Sequence, residues 1–366
     1  MSDSFPLFLV CPPGLEPFLA AEARALGLPD PREVPGGVET QGGWPEIARA
    51  NLWLRGATRV LLRLAEFRAL HLAQLDKRAR RVDWGAVLRP DIPVRVEASC
   101  HRSRIYHDRA AAGRVARAIT ETLGAPVAAE AAVVVKLRID DDLATISLDT
   151  TGESLHKRGH KLDAGKAPLR ETTAALLLGA CGFDGTETVV DPMCGSGTIP
   201  IEAASIAAGL APGRDRGFAF HDFAGFDADG WAATLTDLSP RPTDLRFHGS
   251  DRDSGAVARA AANATRAGVG DIAQFARAAI SDAAPPEGPP GLLLTNPPYG
   301  ARIGDRKLLF GLYGAFGDVL RARFRGWRVG FVTSDAGLAR ATGLDLREGP
   351  QFRHGGLSIR LYHARP

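Results

Sequence analysis

The chain has 366 residues, 45% of them hydrophobic and 24% charged, enough for two or three domains that each bury a core. No apolar run approaches the roughly 18 residues of a membrane helix, and the start of the chain lacks the basic segment of a signal peptide, so a cytoplasmic enzyme is expected. Cys11, Cys100, Cys181 and Cys194 stand far apart, which argues against a disulfide framework or a thiolate metal site. The net charge of +3 is uninformative. Its distribution is not: Lys77 to Arg117 holds 11 Lys/Arg against 4 Asp/Glu, the footprint of a partner with a phosphate backbone.

In chain order, Phe8-Leu9-Val10 reads as a strand, and Glu16 to Leu26 as a helix stopped by Gly27. Val34 to Thr40 reads as a strand through Gly36-Gly37, and Trp44 to Leu54 as a helix. Strands follow at Val60–Leu64 and Val94–Ala98, then a helix over Ala110–Leu123. A hairpin joins Val133–Ile139 to Ala144–Asp149 across Asp140-Asp141-Asp142. Gly152 to Lys166, rich in Gly, Lys and His, suits a linker. Beyond Pro168, strands near 188–191, 245–249, 272–275, 291–295 and 327–332 alternate with helices over 200–209, 254–268 and 308–323. That alternation predicts an α/β, Rossmann-like, doubly wound parallel sheet after a smaller α+β region.

Three constellations carry chemistry. In the first, Val189-Val190-Asp191 runs into Pro192-Met193-Cys194-Gly195-Ser196-Gly197-Thr198. Glycines allow a close ligand approach, and the helix start offers unpaired N–H groups. The pattern is neither a dinucleotide fingerprint nor a P-loop, and suits an amino-acid-bearing cofactor such as S-adenosyl-L-methionine. In the second, Asp251 and Arg252 end another strand, with Asp251 placed for ribose hydroxyls and Asp253 for capping the next helix. The third is Asn296-Pro297-Pro298-Tyr299. The prolines stiffen the strand exit, so the Asn296 side-chain oxygen and the Pro297 carbonyl can converge on the N–H groups of a planar amine. Tyr299 can stack on the ring that bears it. By itself this motif suits adenine N6, guanine N2 or a glutamine amide. Cys194 lies in the cofactor turn, so methylation of a ring carbon through a thiolate is disfavoured. His156-Lys157-Arg158-Gly159-His160-Lys161 has no acid or cysteine at ligand spacing, and reads as a basic linker touching RNA or as a solvated loop, not as a metal site.

These motifs resemble the THUMP-domain RNA methyltransferases that make N2-methylguanosine in large-subunit ribosomal RNA. Gly14-Leu15-Glu16, Gly36-Gly37-Val38, Ser154–Gly159, Ala167–Thr172, Asp191–Thr198 and Asn296–Gly300 are similar to that family's segments, and Ala211-Pro212-Gly213 through Trp231 to its bacterial ribosomal branch. The resemblance implies a ferredoxin-like piece over 1–55, an RNA-binding THUMP domain over 40–150, a linker over 151–167 and a methyltransferase domain over 168–366. It implies a cofactor site of Thr172, Asp191, Cys194, Gly195, Ser196, Gly197, Thr198, Asp251 and Arg252. Near the adenine amine the family's usual acid is matched by Ala279, so either Asp282 substitutes through a shifted loop or backbone groups do the work. Asn296 to Tyr299 would hold the target base. Arg78, Arg80, Arg81, Arg102, Arg104, Lys157 and Arg158 are the candidate RNA contacts. The expected enzyme is a monomer acting on 23S ribosomal RNA or an assembling large subunit, without metal or membrane. The alternatives are a transfer-RNA guanine methyltransferase, an RNA adenine or protein glutamine methyltransferase, and a non-catalytic assembly factor.

Overall fold

Leu7 and Leu9 alternate inward on β1 (Phe5–Val10), which is followed by α1 (Glu16–Ala25). The single strand expected over 34–40 is a hairpin of β2 (Arg32–Val34) and β3 (Gly37–Gly42), turning at Gly36 with φ +87°. Then come α2 (Trp44–Trp53), β4 (Arg59–Arg68), α3 (Leu72–Ala79), β5 (Val94–His101), α4 (Asp108–Leu123), β6 (Val133–Asp140) and β7 (Leu143–Asp149). Helix α3 escapes a periodicity reading because it buries only Leu75 and Ala79. All seven strands form one sheet in the order β2-β3-β1-β4-β7-β6-β5. The expected ferredoxin-like and THUMP segments therefore share a sheet, with β4 pairing β1 on one side and β7 on the other.

This computed structural model describes residues 4–162, 169–236, 238–300 and 306–366. Residues 163–167 of the expected linker, and Ala167-Pro168 of the family-like segment, lie outside the described residues. Two units are distinguished. The first is Met1–Cys11, Ala20–Leu155 and Arg216–Asp237, and the second is Pro12–Leu19, His156–Asp215 and Leu238–Pro366.

The second unit opens with α5 (Glu171–Ala180), β8 (Val189–Asp191) and α6 (Thr198–Ala207). The chain then returns to the first unit with α7 (Ala228–Thr236). There Phe220 N–H donates to the Thr150 carbonyl and Ala224 N–H to Val87, while Phe223 packs edge-on against Trp44. The second unit resumes with β9 (Phe247–Asp251), α8 (Ser254–Arg266), β10 (Ala273–Arg277), β11 (Leu292–Thr295) and α9 (Arg306–Arg323). It ends with β12 (Arg328–Thr333), α10 (Ala336–Ala341), β13 (Arg347–His354) and β14 (Leu357–Ala364). The sheet order is β10-β9-β8-β11-β12-β14-β13. Strands β10, β9, β8, β11 and β12 run parallel, and β14 is antiparallel to β12. This is the expected doubly wound sheet. Strand order reverses at β8, so a crevice opens beyond the carboxyl ends of β8 and β11. No helix among the described residues is long and apolar enough to cross a membrane.

Candidate active site

Asp191 ends β8 in full burial, and its Oδ1 accepts the Met193 N–H at 3.1 Å. Burial pushes its carboxyl up to about 7, against the lowering influence of the Thr295 hydroxyl and the Met193 amide, with the charge of Asp251 adding to the rise. The turn that follows is held at several points. Cys194 N–H donates to the Ser250 carbonyl and Gly197 N–H to the Cys194 carbonyl, both at 2.9 Å. Asp251 bridges two loops: Oδ2 accepts Gly195 N–H and Oδ1 accepts Asp253 N–H, both at 3.0 Å. Each of its oxygens keeps a second lone pair for a ligand hydroxyl. Asp253 caps α8 through Gly255 N–H at 2.9 Å.

Close packing leaves no room for a side chain at Gly197 of this turn or at Gly249 of β9. At Gly197, φ is +82° and an added Cβ would lie 2.9 Å from both Ala260 and the Phe275 ring. At Gly249 it would lie 2.6 Å from Phe275. Asn263, which sequence reading overlooked, donates Nδ2–H to the Ser196 carbonyl at 3.0 Å.

Asn296 follows β11, which pairs with β8, so it and Asp191 leave neighbouring strands. The Asn296 Oδ1 is buried and has no hydrogen-bond partner among the described residues. Tyr299 is buried, and burial raises its phenol to about 12, so it stays protonated near neutral pH. A cavity of about 660 Å³ joins the three constellations, walled by Asp191, Cys194, Gly195, Ser196, Thr198, Asp251, Arg252 and Asn296 to Tyr299. Leu308, Leu309 and Leu312 of α9 add an apolar side that sequence reading missed, because a leucine stripe on a helix reads as ordinary core.

Three expected cofactor residues stand elsewhere. Gly197 lies behind the wall. Thr172 is buried and does not line the cavity. Asp282 is exposed, in contact with the Ser281 hydroxyl, while Ala278, Ala279 and Ile280 supply the wall where an acid was sought.

Of the expected RNA contacts, Arg158 is a correction. It is buried against Glu202 of α6, with both side chains at most 5% exposed and paired through Nε–Oε2 at 3.2 Å. A guanidinium held this way cannot also reach a phosphate. Lys161 is likewise turned inward, to the Thr198 hydroxyl and Leu169 carbonyl at 2.9 Å and to Glu171 at 3.3 Å. Arg80 is tied to Asp76 and Glu121, Arg102 to Asp140, and Arg104 to Asp142. Arg78 lies over the Phe67 ring, and Arg78, Arg81 and Lys157 are exposed.

The sequence profile described as RMKL-like, methyltransferase domain, matches residues 158–356, more than half of the chain. The chain belongs to the RMKL-like methyltransferase family. Residues 6–61 also match the RlmL ferredoxin-like domain. Over 381 residues this RMKL-like chain is 36% identical to "Ribosomal RNA large subunit methyltransferase K/L" of Chromohalobacter salexigens, covering 98% of the chain and 52% of that protein. It thus spans about half the length of the curated relatives it matches. Its fold is similar to a "possible methylase" from Clostridium difficile 630, with TM-score 0.90, 30% identity and coverage of 99% and 98% of the two chains. It is also similar to SMU.472, complexed with SAH, with TM-score 0.89, 28% identity and coverage of 100% and 99%.

Proposed function

We propose that this RMKL-like chain methylates the N2 amine of a guanine in 23S ribosomal RNA, in the cytoplasm and as a monomer. The cofactor is S-adenosyl-L-methionine. The observation that carries the reading is the buried, partnerless Oδ1 of Asn296, a residue that lines the cavity shared with Asp251 and the glycine turn. The residues present fit the cofactor. Asp251 has lone pairs for ribose hydroxyls, Asp191 is an anion reserve for an ammonium group, and the glycine turn admits a ligand against its backbone. When bound, the cofactor supplies an electrophilic methyl group on a sulfonium sulfur.

The chain's own residues handle the amine. Asn296 Oδ1 and the Pro297 carbonyl accept its two N–H bonds, which draws the nitrogen towards a pyramidal shape and aims its lone pair. Tyr299 offers a ring face to the base, and its neutral phenol takes no part as a general base. The extra proton on the product nitrogen is held by the Asn296 oxygen until water carries it away. Since the base must enter a cavity, it leaves its stack first.

The names of the relatives support a large-subunit ribosomal RNA substrate. The guanine assignment rests on the likeness of the chain as a whole to a family that makes N2-methylguanosine, since the Asn296–Tyr299 segment alone suits adenine N6 and a glutamine amide as well. The test uses labelled cofactor, unmodified ribosomal RNA and digestion to nucleosides. Label in N2-methylguanosine is expected, and label confined to N6-methyladenosine would overturn the assignment.

A further inference from the structure

The cations of the first unit divide into those already neutralised and those left over. Arg102 donates to Asp140 at 2.9 Å, and the Arg104 backbone N–H donates to Asp142 at 2.8 Å while its side chain lies 4.0 Å from the same carboxylate. Arg89 and Arg95 are paired with Asp91 and Glu97. On α4 the situation is different. Arg109, Arg114 and Arg117 have no ion pair within 4.0 Å among the described residues, Arg114 and Arg117 sharing only a longer-range attraction to Asp76, and Arg109 and Arg117 are exposed.

The helix also separates its faces cleanly. Ala111, Val115, Ala118 and Ile119 are buried. Positions 109, 113 and 117 recur every fourth residue on the opposite side, with 114 beside them. Gly113, between the arginines, is exposed, and a Cβ added there would meet nothing within 4 Å. The middle of the stripe is therefore low, and a chain lying along it can approach the helix backbone. Asp108, the acid at the start of the helix, already accepts the Cys100 N–H at 2.9 Å.

Just ahead of that start, Tyr106 is 70% exposed, the most exposed aromatic ring among the described residues with large exposed apolar side chains. Its ring stands 4.2 Å from that of His107. An exposed ring next to a row of unpaired arginines is the arrangement that holds unstacked bases and their phosphates.

We propose that the outer face of α4 and Tyr106 together hold a single-stranded stretch of the RNA substrate, with phosphates on Arg109, Arg114 and Arg117 and one base on Tyr106. This rests on the RNA reading above and moves the main contact away from Arg102 and Arg104. A duplex is disfavoured as the occupant because its bases are stacked and have no face for Tyr106.

The test measures binding of the full chain to a labelled short oligouridine and to the same strand in duplex with oligoadenine, between about 50 and 200 mM salt. R109Q/R114Q/R117Q should weaken single-strand binding at least ~10-fold at low salt and flatten the salt dependence by about 0.7 per cation removed. Tyr106→Ala should weaken it roughly 10-fold without changing that slope, and Tyr106→Phe should restore it. R102Q/R104Q should cost no more than about two-fold. Cofactor binding by calorimetry should be unchanged in every variant, which separates lost contacts from lost folding. Wild-type affinity in the α4 variants, a larger loss in R102Q/R104Q, or a preference of the unaltered chain for duplex would overturn the proposal. If those α4 variants still methylate ribosomal RNA at the unaltered kcat/KM, the stripe alone fails. If the unaltered chain neither binds nor methylates RNA, the functional reading fails with it.

Discussion

Asn296 holds a buried amide oxygen with no hydrogen-bond partner among the described residues. Such an oxygen costs about 1–3 kcal/mol of folding free energy unless a ligand completes it. A residue retained at that cost for structure alone would be destabilising to keep. Asn296→Ala should therefore lower kcat by about 10²–10³-fold, the scale seen when one preorganised polar group is removed. Cofactor affinity by calorimetry and the thermal midpoint should not fall, and a large drop in the midpoint would mean the side chain serves the fold. Asp191 makes a second case at this scale. Its carboxyl is raised to about 7 in the fold and returns to about 4 on unfolding. Between those values the folded state holds a proton that the unfolded state has released. The stability that this proton represents is complete below about pH 4 and is lost as pH rises through about 7. Unfolding of the cofactor-free protein monitored against pH should show that decline, and Asp191→Asn should flatten it. A cationic ligand group beside Asp191 would favour the ionised form, so cofactor affinity should rise with pH across the same window in the native protein only.

At the scale of elements, the glycine turn makes opposite predictions for two neighbours. Gly195 and Gly197 both have positive φ, but only Gly197 would drive a Cβ into Ala260 and Phe275. Gly195→Ala should cost about 1–2 kcal/mol in chemical denaturation from backbone strain alone. Gly197→Ala should cost about 1–3 kcal/mol more, and should loosen the start of α6. The Arg158–Glu202 pair anchors the segment ahead of α5 to α6. Breaking it with Arg158→Ala should cost about 3–5 kcal/mol, because Glu202 would be left charged and buried.

The strands β8, β9 and β11 and the residues they bring to one cavity were legible because each signature is contiguous: an apolar run, then Asp, glycine or Asn-Pro at its end. What escaped depends on distant partners. Nothing near Arg158 announces an acid on α6, and the acids that quench Arg102 and Arg104 lie at the end of β6 and in the turn after it, outside the basic window. Strand β13 buries only Phe352, too little for an alternation signal. Asp282 misled because a count of positions cannot show that the short helical turn after Ala279 swings its carboxylate outward.

At the scale of the whole molecule, sequence order and spatial units do not coincide. Residues 216–237 lie between α6 and β9 in sequence, yet they pack with the first unit. They bring Phe218, Phe220 and Trp231 into mutual ring contact there, and supply N–H donors to the carbonyls of Thr150, Thr151 and Val87. A fragment that stops at Leu155 should therefore unfold at lower denaturant concentration than the first unit does within the full chain. It should also bind hydrophobic dye through the uncovered face at Trp44. Equal midpoints would show that the returning segment adds nothing.

That returning segment also sets a timetable. A chain emerging during synthesis at about 5–20 residues per second must extend about 80 residues beyond Leu155 before the first unit can close. For several seconds the seven-stranded sheet is laid down with its final aromatic cover still unmade. By the time that cover arrives, β8 and the glycine turn are already outside. The nascent glycine turn waits longer still, because its partners Ser250, Asp251 and Asn263 follow the returning segment, so a stall ahead of that segment would leave both incomplete.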